Sequence, residues 1–312
     1  MEDLKNLKVV FMGTPLFSVS VLDILCKNTN VCGVVTQPDK EVGRKKVLTP
    51  SPVKVYAEEH GIKVLQPVKL RDEYQDIIDL EPDIIITCAY GQILPLELLE
   101  YPKYKTINVH ASLLPNYRGG APIERSIMNG DKETGITIMR TDKGMDSGDI
   151  IEEEKLPILE DDDIDSLSDK LSVLGANLLM KVLPSIINET CKFIHQDEKK
   201  VSFAYVIKRC DEKIDLNEGV ISAYNKIRAL KRIGAYVLFD NESMKIFKAR
   251  YDLLKHGEVG SISNIYKDGF GIYFEDGELI VLELQVMGKK RMNAKDYLNG
   301  INKDNLLSKR IM

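Results

Sequence analysis

The chain has 312 residues, of which 44% are hydrophobic, 29% charged and 7% aromatic. This composition excludes fibrous and disordered classes, and the length is sufficient for two domains. The net charge of −5 does not by itself indicate a nucleic-acid binder. We find neither the features of a signal peptide nor an apolar run of roughly 18 residues that would span a membrane. We therefore expect a cytoplasmic protein without a membrane partner.

The first half of the chain alternates short apolar runs with amphipathic stretches, which is typical of an α/β domain with a mostly parallel sheet. The predicted elements are, in chain order, a strand at 7–12, a helix at 16–26, a strand at 31–36, a helix that begins at Ser51-Pro52, strands at 83–88, 107–109 and 136–139, and a helix at 165–187. The run DIIITC at 83–88 is the clearest central strand, because parallel strands buried on both faces are continuously apolar. The first strand ends at Gly13 without a GxGxxG sequence, which argues against a dinucleotide-binding enzyme.

The pattern changes after the long predicted helix. Residues 190–207 are predicted to be a linker, and later segments are short, with turn signals such as Asp276-Gly277. The runs at 270–274 and 279–284 predict two strands paired around that turn. We therefore predict a domain at 1–189 and a small β-barrel domain at 208–312.

Cysteine and histidine spacing gives no support for a metal site. The five cysteines are an odd number without a CxxC pair, and the four histidines lack HxxxH or HExxH spacing. Cys88 lies in an apolar run and is predicted to be a core residue. We expect no metal in this protein.

The densest group of residues that could do chemistry lies at and after the predicted strand at 107–109. Asn108 and His110 are separated by one residue, so their side chains point to the same face of a strand. Asp146 lies in a glycine-flanked turn beyond another strand. An amide and an imidazolium can stabilise an oxyanion, and a carboxylate can orient the histidine or move protons. From these residues alone, a converging site and a buried histidine with an unrelated turn aspartate both stay open.

The sequence around these residues resembles the folate-dependent formyltransferase superfamily. Its motif Asn-x-His-x-Ser-Leu-Leu-Pro is matched from Asn108 to Pro115, and Asp146 follows His110 by 36 residues, as the superfamily's aspartate does. The resemblance implies a Rossmann-like formyltransferase domain that uses 10-formyltetrahydrofolate as its formyl donor. It further implies that Asn108 and His110 hold the oxygen of the tetrahedral intermediate. Asp146 would orient His110 and relay a proton from the attacking amine.

The resemblance also implies two segments that contact the folate. The first consists of Ser112, Leu113, Leu114 and Pro115, and the second, its opposite wall, of Tyr90, Gly91, Gln92, Ile93 and Leu94.

Several other segments resemble the branch of the superfamily that formylates methionyl-tRNA. They are MGTPLFSVSVL, the loop TQPDKEVGRKK, TPSPVK and the tail from Gly288 to Gly300. This implies aminoacylated initiator tRNA as the partner and an OB-like barrel as the carboxy-terminal domain. A basic, flexible loop suits a phosphate-rich partner, and in this branch the loop enters the acceptor stem. The expected tRNA contacts are Lys40, Arg44, Lys45 and Lys46, with Arg44 as the discriminating one.

Three alternatives stay open. An amino-sugar-nucleotide N-formyltransferase would share the catalytic residues without needing the basic loop. A tRNA- or folate-binding protein without catalysis would be expected to have lost one of them, and a hydrolase could release formate from the same folate. The chain departs from the family pattern at Gly120 and Leu216, where alanine and tryptophan are usual. A monomer is the default expectation.

Overall fold

The computed structural model describes residues 2–43, 45–239 and 242–311. The chain divides into two compact units. Unit 1 comprises Met1–Pro122, Glu133–Pro157 and Ser168–Tyr205, and unit 2 comprises Ile123–Lys132, Ile158–Leu167 and Val206–Met312. The domain boundaries predicted from the sequence, at 189 and 208, stay a prediction.

The described elements follow in chain order. The helices are α1 (Glu2–Lys5), α2 (Val19–Asn28), α3 (Pro52–Glu59), α4 (Gln75–Ile78), α5 (Leu96–Glu100), α6 (Pro122–Met128), α7 (Ile164–Ile187), α8 (Val220–Ala229), α9 (Ala294–Asn299) and α10 (Lys303–Leu307). The strands are β1 (Lys8–Gly13), β2 (Asn30–Val35), β3 (Lys40–Val42), β4 (Val47–Thr49), β5 (Val64–Leu65), β6 (Ile84–Cys88), β7 (Thr106–His110), β8 (Glu133–Arg140), β9 (Ile150–Pro157), β10 (Ala235–Phe239), β11 (Glu242–Asp252), β12 (Ile262–Ile265), β13 (Phe270–Phe274), β14 (Gly277–Val286) and β15 (Met292–Asn293).

Unit 1 is built on one sheet, whose strand order among the described residues is β5-β2-β1-β6-β7-β8-β9. The pairs from β5 to β7 are parallel, whereas β8 and β9 are antiparallel to their neighbours. The mostly parallel sheet predicted from the sequence is therefore confirmed. All five residues of β6 are buried, as its apolar sequence predicts. Because β1, β6 and β7 are parallel neighbours, the loops that follow them meet at one edge of the sheet.

Helix α7 covers the face of the sheet opposite the polar side chains of β7. Leu171, Leu179 and Leu183 are fully buried. A Cβ at Gly175 would lie 2.9 Å from Val109 Cγ1, so glycine permits a close approach of helix and strand. By length and composition α7 is the one helix among the described residues that could cross a membrane, but half of its most apolar window is buried within the protein. Its burial identifies it as a core helix.

The basic segment after β2 forms an antiparallel ribbon. Strands β3 and β4 pair from Lys40 opposite Thr49 to Val42 opposite Val47. Gly43 occupies the left-handed region at the turn, with φ +72°. Every described residue from 40 to 49 is exposed. The sequence predicted a flexible loop here, whereas the structure shows a short hairpin that stands in solvent.

The sheet of unit 2 is antiparallel, with strand order β10-β11-β14-β13-β12 among the described residues and β15 added beside β14. The predicted hairpin is confirmed, since Phe274 lies opposite Gly277 across the turn between β13 and β14. Ile311 bridges Phe239 at the end of β10, and Arg310 bridges Ser261, next to β12. Residues 310 and 311 therefore connect the two edges of this antiparallel sheet, an arrangement compatible with the small barrel predicted from the sequence.

Candidate active site

The amide of Asn108 is oriented by its neighbours on the sheet. Asn108 lies opposite Thr87 in the parallel pair of β7 and β6. The Thr87 hydroxyl donates a hydrogen bond to Asn108 Oδ1 at 2.9 Å, and Asn108 Nδ2 donates to Asp146 Oδ1 at 3.4 Å. A carboxylate only accepts hydrogen bonds, so the amide nitrogen must face Asp146. Asn108 as a whole is half-buried.

His110, the last residue of β7, is held through its Nε2 and is only 6% exposed. Its Nε2 lies 3.0 Å from the Tyr117 carbonyl oxygen, which can only accept, so Nε2 carries a proton. Its Nδ1 lies 3.7 Å from Asp146 Oδ2, at ion-pair distance. Nδ1 is therefore the ring nitrogen that faces the carboxylate.

Asp146 reaches this face from the connection between β8 and β9. Because β8 is antiparallel to β7, this connection begins at the opposite edge of the sheet from the loop after His110. It folds over the face of β7, and the Gly119 N–H group donates to Asp146 Oδ2 at 2.8 Å. The sequence predicted Asp146 in a glycine-flanked turn just beyond another strand. The structure brings it to Asn108 and His110 through this connection.

Gly119 is required by the backbone at this point. Its φ is +122°, and a Cβ there would lie 2.9 Å from the Ala204 carbonyl oxygen. A larger residue would displace the chain and with it the N–H group that holds Asp146.

A buried polar network lies behind the Asp146 turn. Gln196 Nε2 donates to the carbonyl oxygens of Asp146 at 2.9 Å and Gly148 at 2.7 Å. Gln196 Oε1 accepts from Arg118 Nε at 3.0 Å, and Arg118 Nη2 donates to Glu198 Oε1 at 2.8 Å. The hydrogen bond from Arg118 lowers the pKa of the Glu198 carboxyl.

The first predicted folate segment follows β7 and is tied to β8. Thr137 Oγ1 lies 2.7 Å from the Ser112 carbonyl oxygen and accepts from the Leu114 N–H group at 3.1 Å. The Ser112 hydroxyl donates to the Asn116 carbonyl oxygen at 2.6 Å. The peptide bond between Leu114 and Pro115 is cis. The side chains of Ser112 and Leu114 are buried, whereas Leu113 and Pro115 are partly exposed.

The second predicted folate segment follows β6 at the same edge of the sheet. The Tyr90 ring packs into the hydrophobic cluster that contains Val10 and Leu70, and burial raises the pKa of its hydroxyl. Gln92 accepts from the Leu70 N–H group and donates to the Pro67 carbonyl oxygen. Ile93, in contrast, is 85% exposed. Gly91, two residues earlier, lies in the left-handed region, with φ +89°, and Leu94 packs at the edge of the cluster.

The predicted tRNA contacts lie on the ribbon of β3 and β4, apart from Arg44, which is outside the described residues. Lys40 and Lys45 are exposed, and Lys46 Nζ lies 3.3 Å from Glu41 Oε2. Asp39 at the base of the ribbon is held by Lys54 at 2.8 Å, and this hydrogen bond lowers the pKa of its carboxyl.

Comparison with known proteins identifies the family. The profile of the formyl transferase family matches residues 7–183, and that of the formyl transferase carboxy-terminal domain matches residues 206–302. Methionyl-tRNA formyltransferase of Bacillus cereus strain AH187 is 50% identical over 300 residues, covering 94% of this chain and 96% of the relative. The chain belongs to the methionyl-tRNA formyltransferase family. The enzyme of Bacillus anthracis strain CDC 684 is 49% identical over the same shares of the two chains.

Solved structures agree with the formyltransferase fold. An N-formyltransferase from Helicobacter canadensis, solved with folinic acid and dTDP-3-aminofucose, has a TM-score of 0.61 at 23% identity and covers 88% of this chain and 98% of its own. HypX from Aquifex aeolicus in complex with tetrahydrofolic acid has a TM-score of 0.65 at 15% identity. The match covers 94% of this chain and 47% of HypX. At these identities the likeness concerns the fold. The full-length identity to methionyl-tRNA formyltransferases therefore decides the branch.

Sequence reasoning missed the residues that hold the predicted ones in place. Thr87 could have been found as a polar residue in the apolar run DIIITC, directly before Cys88. Arg118 follows the formyltransferase motif closely. Gln196 lies in the predicted linker, and neither its spacing nor its neighbours gave a signal of its contact with the Asp146 turn.

Proposed function

We propose that this member of the family transfers the formyl group of 10-formyltetrahydrofolate to the free amino group of methionyl initiator tRNA. The product is N-formylmethionyl-tRNA, which serves translation initiation. Family membership supports the class of reaction and the acceptor. The observation that carries the chemistry is the convergence of Asn108, His110 and Asp146 on one face of β7.

The reaction requires an amine nitrogen to attack the formyl carbon, which places negative charge on the formyl oxygen. We propose that Asn108 Nδ2 and His110, protonated on Nδ1, stabilise this charge. Both groups are held before the reaction begins, so little reorganisation is needed. Removing one such donor typically costs about 10²–10³ in rate. Collapse of the intermediate breaks the bond between the formyl carbon and N10 of the folate.

The proton balance assigns a role to Asp146. The attacking amine loses one proton, and N10 of the leaving folate gains one. The Asp146 carboxylate lies within 3.4 Å of the Asn108 amide nitrogen and 3.7 Å of His110 Nδ1. We propose that it accepts the proton from the amine, passes it to N10 as the bond between the formyl carbon and N10 breaks, and holds His110 in place.

The folate is proposed to lie between the two segments that follow β6 and β7. Ser112, Leu113, Leu114 and Pro115 form one wall, and residues Tyr90 to Leu94 form the other. In the second wall the Tyr90 side chain packs in a hydrophobic cluster, and the Gln92 side chain is hydrogen-bonded to the Pro67 carbonyl oxygen. Its contacts with folate are therefore proposed to come from backbone groups and from the exposed Ile93.

The ribbon of β3 and β4 is proposed to bind the tRNA acceptor stem through Lys40, Arg44, Lys45 and Lys46. Lys54 compensates the charge of Asp39, so the acidic residue at the base of the ribbon does not oppose a phosphate backbone. We further propose a catalytic domain at 1–189, a linker at 190–207 and a tRNA-binding domain with an OB-like barrel at 208–312. The protein is proposed to act as a cytoplasmic monomer without a metal.

Single-turnover formyl transfer with Asp146→Asn tests the catalytic assignment. Asp142→Asn is a matched control, because Asp142 is an exposed aspartate of the same connection. We expect Asp146→Asn to lose at least about 10²-fold in rate, while Asp142→Asn stays near the parent rate. Equal rates for the two variants would reject the role of Asp146.

The tRNA assignment is tested by changing Lys40 and Lys45 together to alanine. The matched control changes Lys63 and Lys69, two exposed lysines outside the ribbon. We expect the KM for methionyl-tRNA to rise and its dependence on salt to weaken in the ribbon variant alone, because fewer phosphates are neutralised. The KM for folate should not change. An unchanged salt dependence would contradict the tRNA contact.

A further inference from the structure

We propose that Gln196, held in place by Arg118, is a positioning residue for the Asp146 carboxylate. The proposal rests on the proposed function, and it concerns two residues outside the catalytic trio. Both side chains are almost completely buried, with 3% of Gln196 and 4% of Arg118 exposed. A buried amide and a buried guanidinium are costly unless their hydrogen bonds are made, so their arrangement is well defined.

The Asp146 turn needs support from outside itself. Residues 142–145, which precede the aspartate, are exposed. Asp146 itself lies in the left-handed region, with φ +46°, which a residue other than glycine adopts at some cost. A turn in this conformation keeps its geometry only where the surrounding structure fixes it.

Gln196 supplies that support on both sides of the aspartate. One Nε2 group donates its two hydrogens to the carbonyl oxygens of Asp146 and Gly148, at 2.9 Å and 2.7 Å. The backbone on either side of residue 147 is therefore tied to a single rigid amide plane. A shift of this plane would move the Asp146 carboxylate relative to Asn108 and His110.

Arg118 determines which way the Gln196 amide points. Arg118 Nε donates to Gln196 Oε1 at 3.0 Å, so the opposite side of the amide, Nε2, must face the two carbonyls. The guanidinium is itself oriented by Glu198, through hydrogen bonds of 2.8 Å and 3.4 Å. The guanidinium group of Arg118 therefore donates to Gln196 through Nε and to Glu198 through its two Nη atoms at the same time. The single ammonium group of a lysine cannot make both contacts.

The same stretch of chain also holds the carboxylate directly. Gly119, the residue after Arg118, donates its N–H group to Asp146 Oδ2 at 2.8 Å. The Arg118 backbone is in turn paired with the chain around Phe203, through the Ser202 carbonyl oxygen and the Ala204 N–H group. Residues 196–204 therefore position the Asp146 backbone through Gln196 and its carboxylate through Gly119.

The test is Gln196→Met, which keeps the length of the side chain and removes all three hydrogen bonds. Gln66→Met is the matched control, because Gln66 is a glutamine of the same unit that also donates twice, to the Gln37 carbonyl oxygen and to Asp39. We expect Gln196→Met to lower kcat by about 10- to 100-fold, since a displacement near 1 Å can cost about 10²-fold in rate. The KM values for folate and methionyl-tRNA should stay within about twofold, and the pH profile of kcat should change.

A second variant keeps the proposal testable if Gln196→Met does not fold. Arg118→Lys retains a positive charge near Glu198 and loses the guanidinium hydrogen bond to Gln196. We therefore expect a kcat between those of the parent protein and Gln196→Met. An unchanged kcat and pH profile in folded Gln196→Met, or a kcat loss that only follows the folded fraction, would overturn the proposal. Failure of the proposed function would be seen separately, as an absence of formyl transfer by the parent protein.

Discussion

The hydroxyl of Thr87 offers a sharp test of how the site is held, through the substitution Thr87→Val. Valine keeps the shape and β-branching of threonine and removes the hydroxyl, which donates to Asn108 Oδ1 at 2.9 Å and lies 3.4 Å from the Ile107 carbonyl oxygen. Of its side-chain hydrogen bonds to described residues, Asn108 would then keep the 3.4 Å contact with Asp146. A typical hydrogen bond contributes about 0.5–1.5 kcal/mol, which corresponds to a rate loss of about two- to twelvefold. This is far less than the 10²–10³ expected when the amide itself is removed in Asn108→Ala.

The assay is single-turnover formyl transfer at saturating substrates, with Thr106→Val as the matched control. Thr106 is a buried threonine at the start of β7, and its hydroxyl donates to the Leu99 carbonyl oxygen. Thr106→Val should keep the parent rate. If the two valine variants have the same rate, Thr87 does not orient the amide. If Thr87→Val is as slow as Asn108→Ala, the hydroxyl has a larger role than the structure assigns to it.

Other features of the structure make independent predictions. Burial raises the pKa of the Cys88 thiol to about 12, so iodoacetamide at pH 8 should label the exposed Cys210 and not Cys88 until the protein is unfolded. Hydrogen bonds from the Lys208 N–H group and Arg125 lower the pKa of Asp211, so ionised Asp211 stabilises the fold above about pH 4 and this contribution is lost as pH falls further. Asp211→Asn should therefore lower the free energy of unfolding, measured with urea at pH 7, by roughly 1–2 kcal/mol relative to the parent protein. The difference should be smaller near pH 3, and an equal difference at both pH values would contradict this. Leu179→Ala should lower the free energy of unfolding by about 2–5 kcal/mol, because this side chain of α7 is fully buried. A decrease below about 1 kcal/mol would contradict that packing.

The parallel sheet and the long helix could be predicted from sequence because their apolar periodicity is strong. Strand β6 is continuously apolar and β-branched, and Ser51 accepts a hydrogen bond from the Lys54 N–H group at the start of α3, as the Ser-Pro pair predicts. The path of the β8–β9 connection was not predictable. Antiparallel pairing of β8 depends on contacts between distant residues, which short-range patterns do not contain.

The candidate site also contains residues that could be predicted from the sequence and one that could not. Asn108, His110 and Asp146 carry a recognisable motif, and the structure brings all three together. Gln196 lies 50 residues after Asp146 in a segment without regular secondary structure. Its role comes from a long-range contact with the turn and from no feature of its neighbours in sequence.

The most direct test of the account is formyl transfer from 10-formyltetrahydrofolate to methionyl initiator tRNA. Methionyl elongator tRNA and an amino-sugar nucleotide serve as parallel acceptors, and formate release is followed in the same reactions. The account predicts rapid transfer to the initiator species and little to the other two acceptors. Transfer only to the sugar nucleotide, release of formate without transfer, or no reaction by verified folded protein would contradict it.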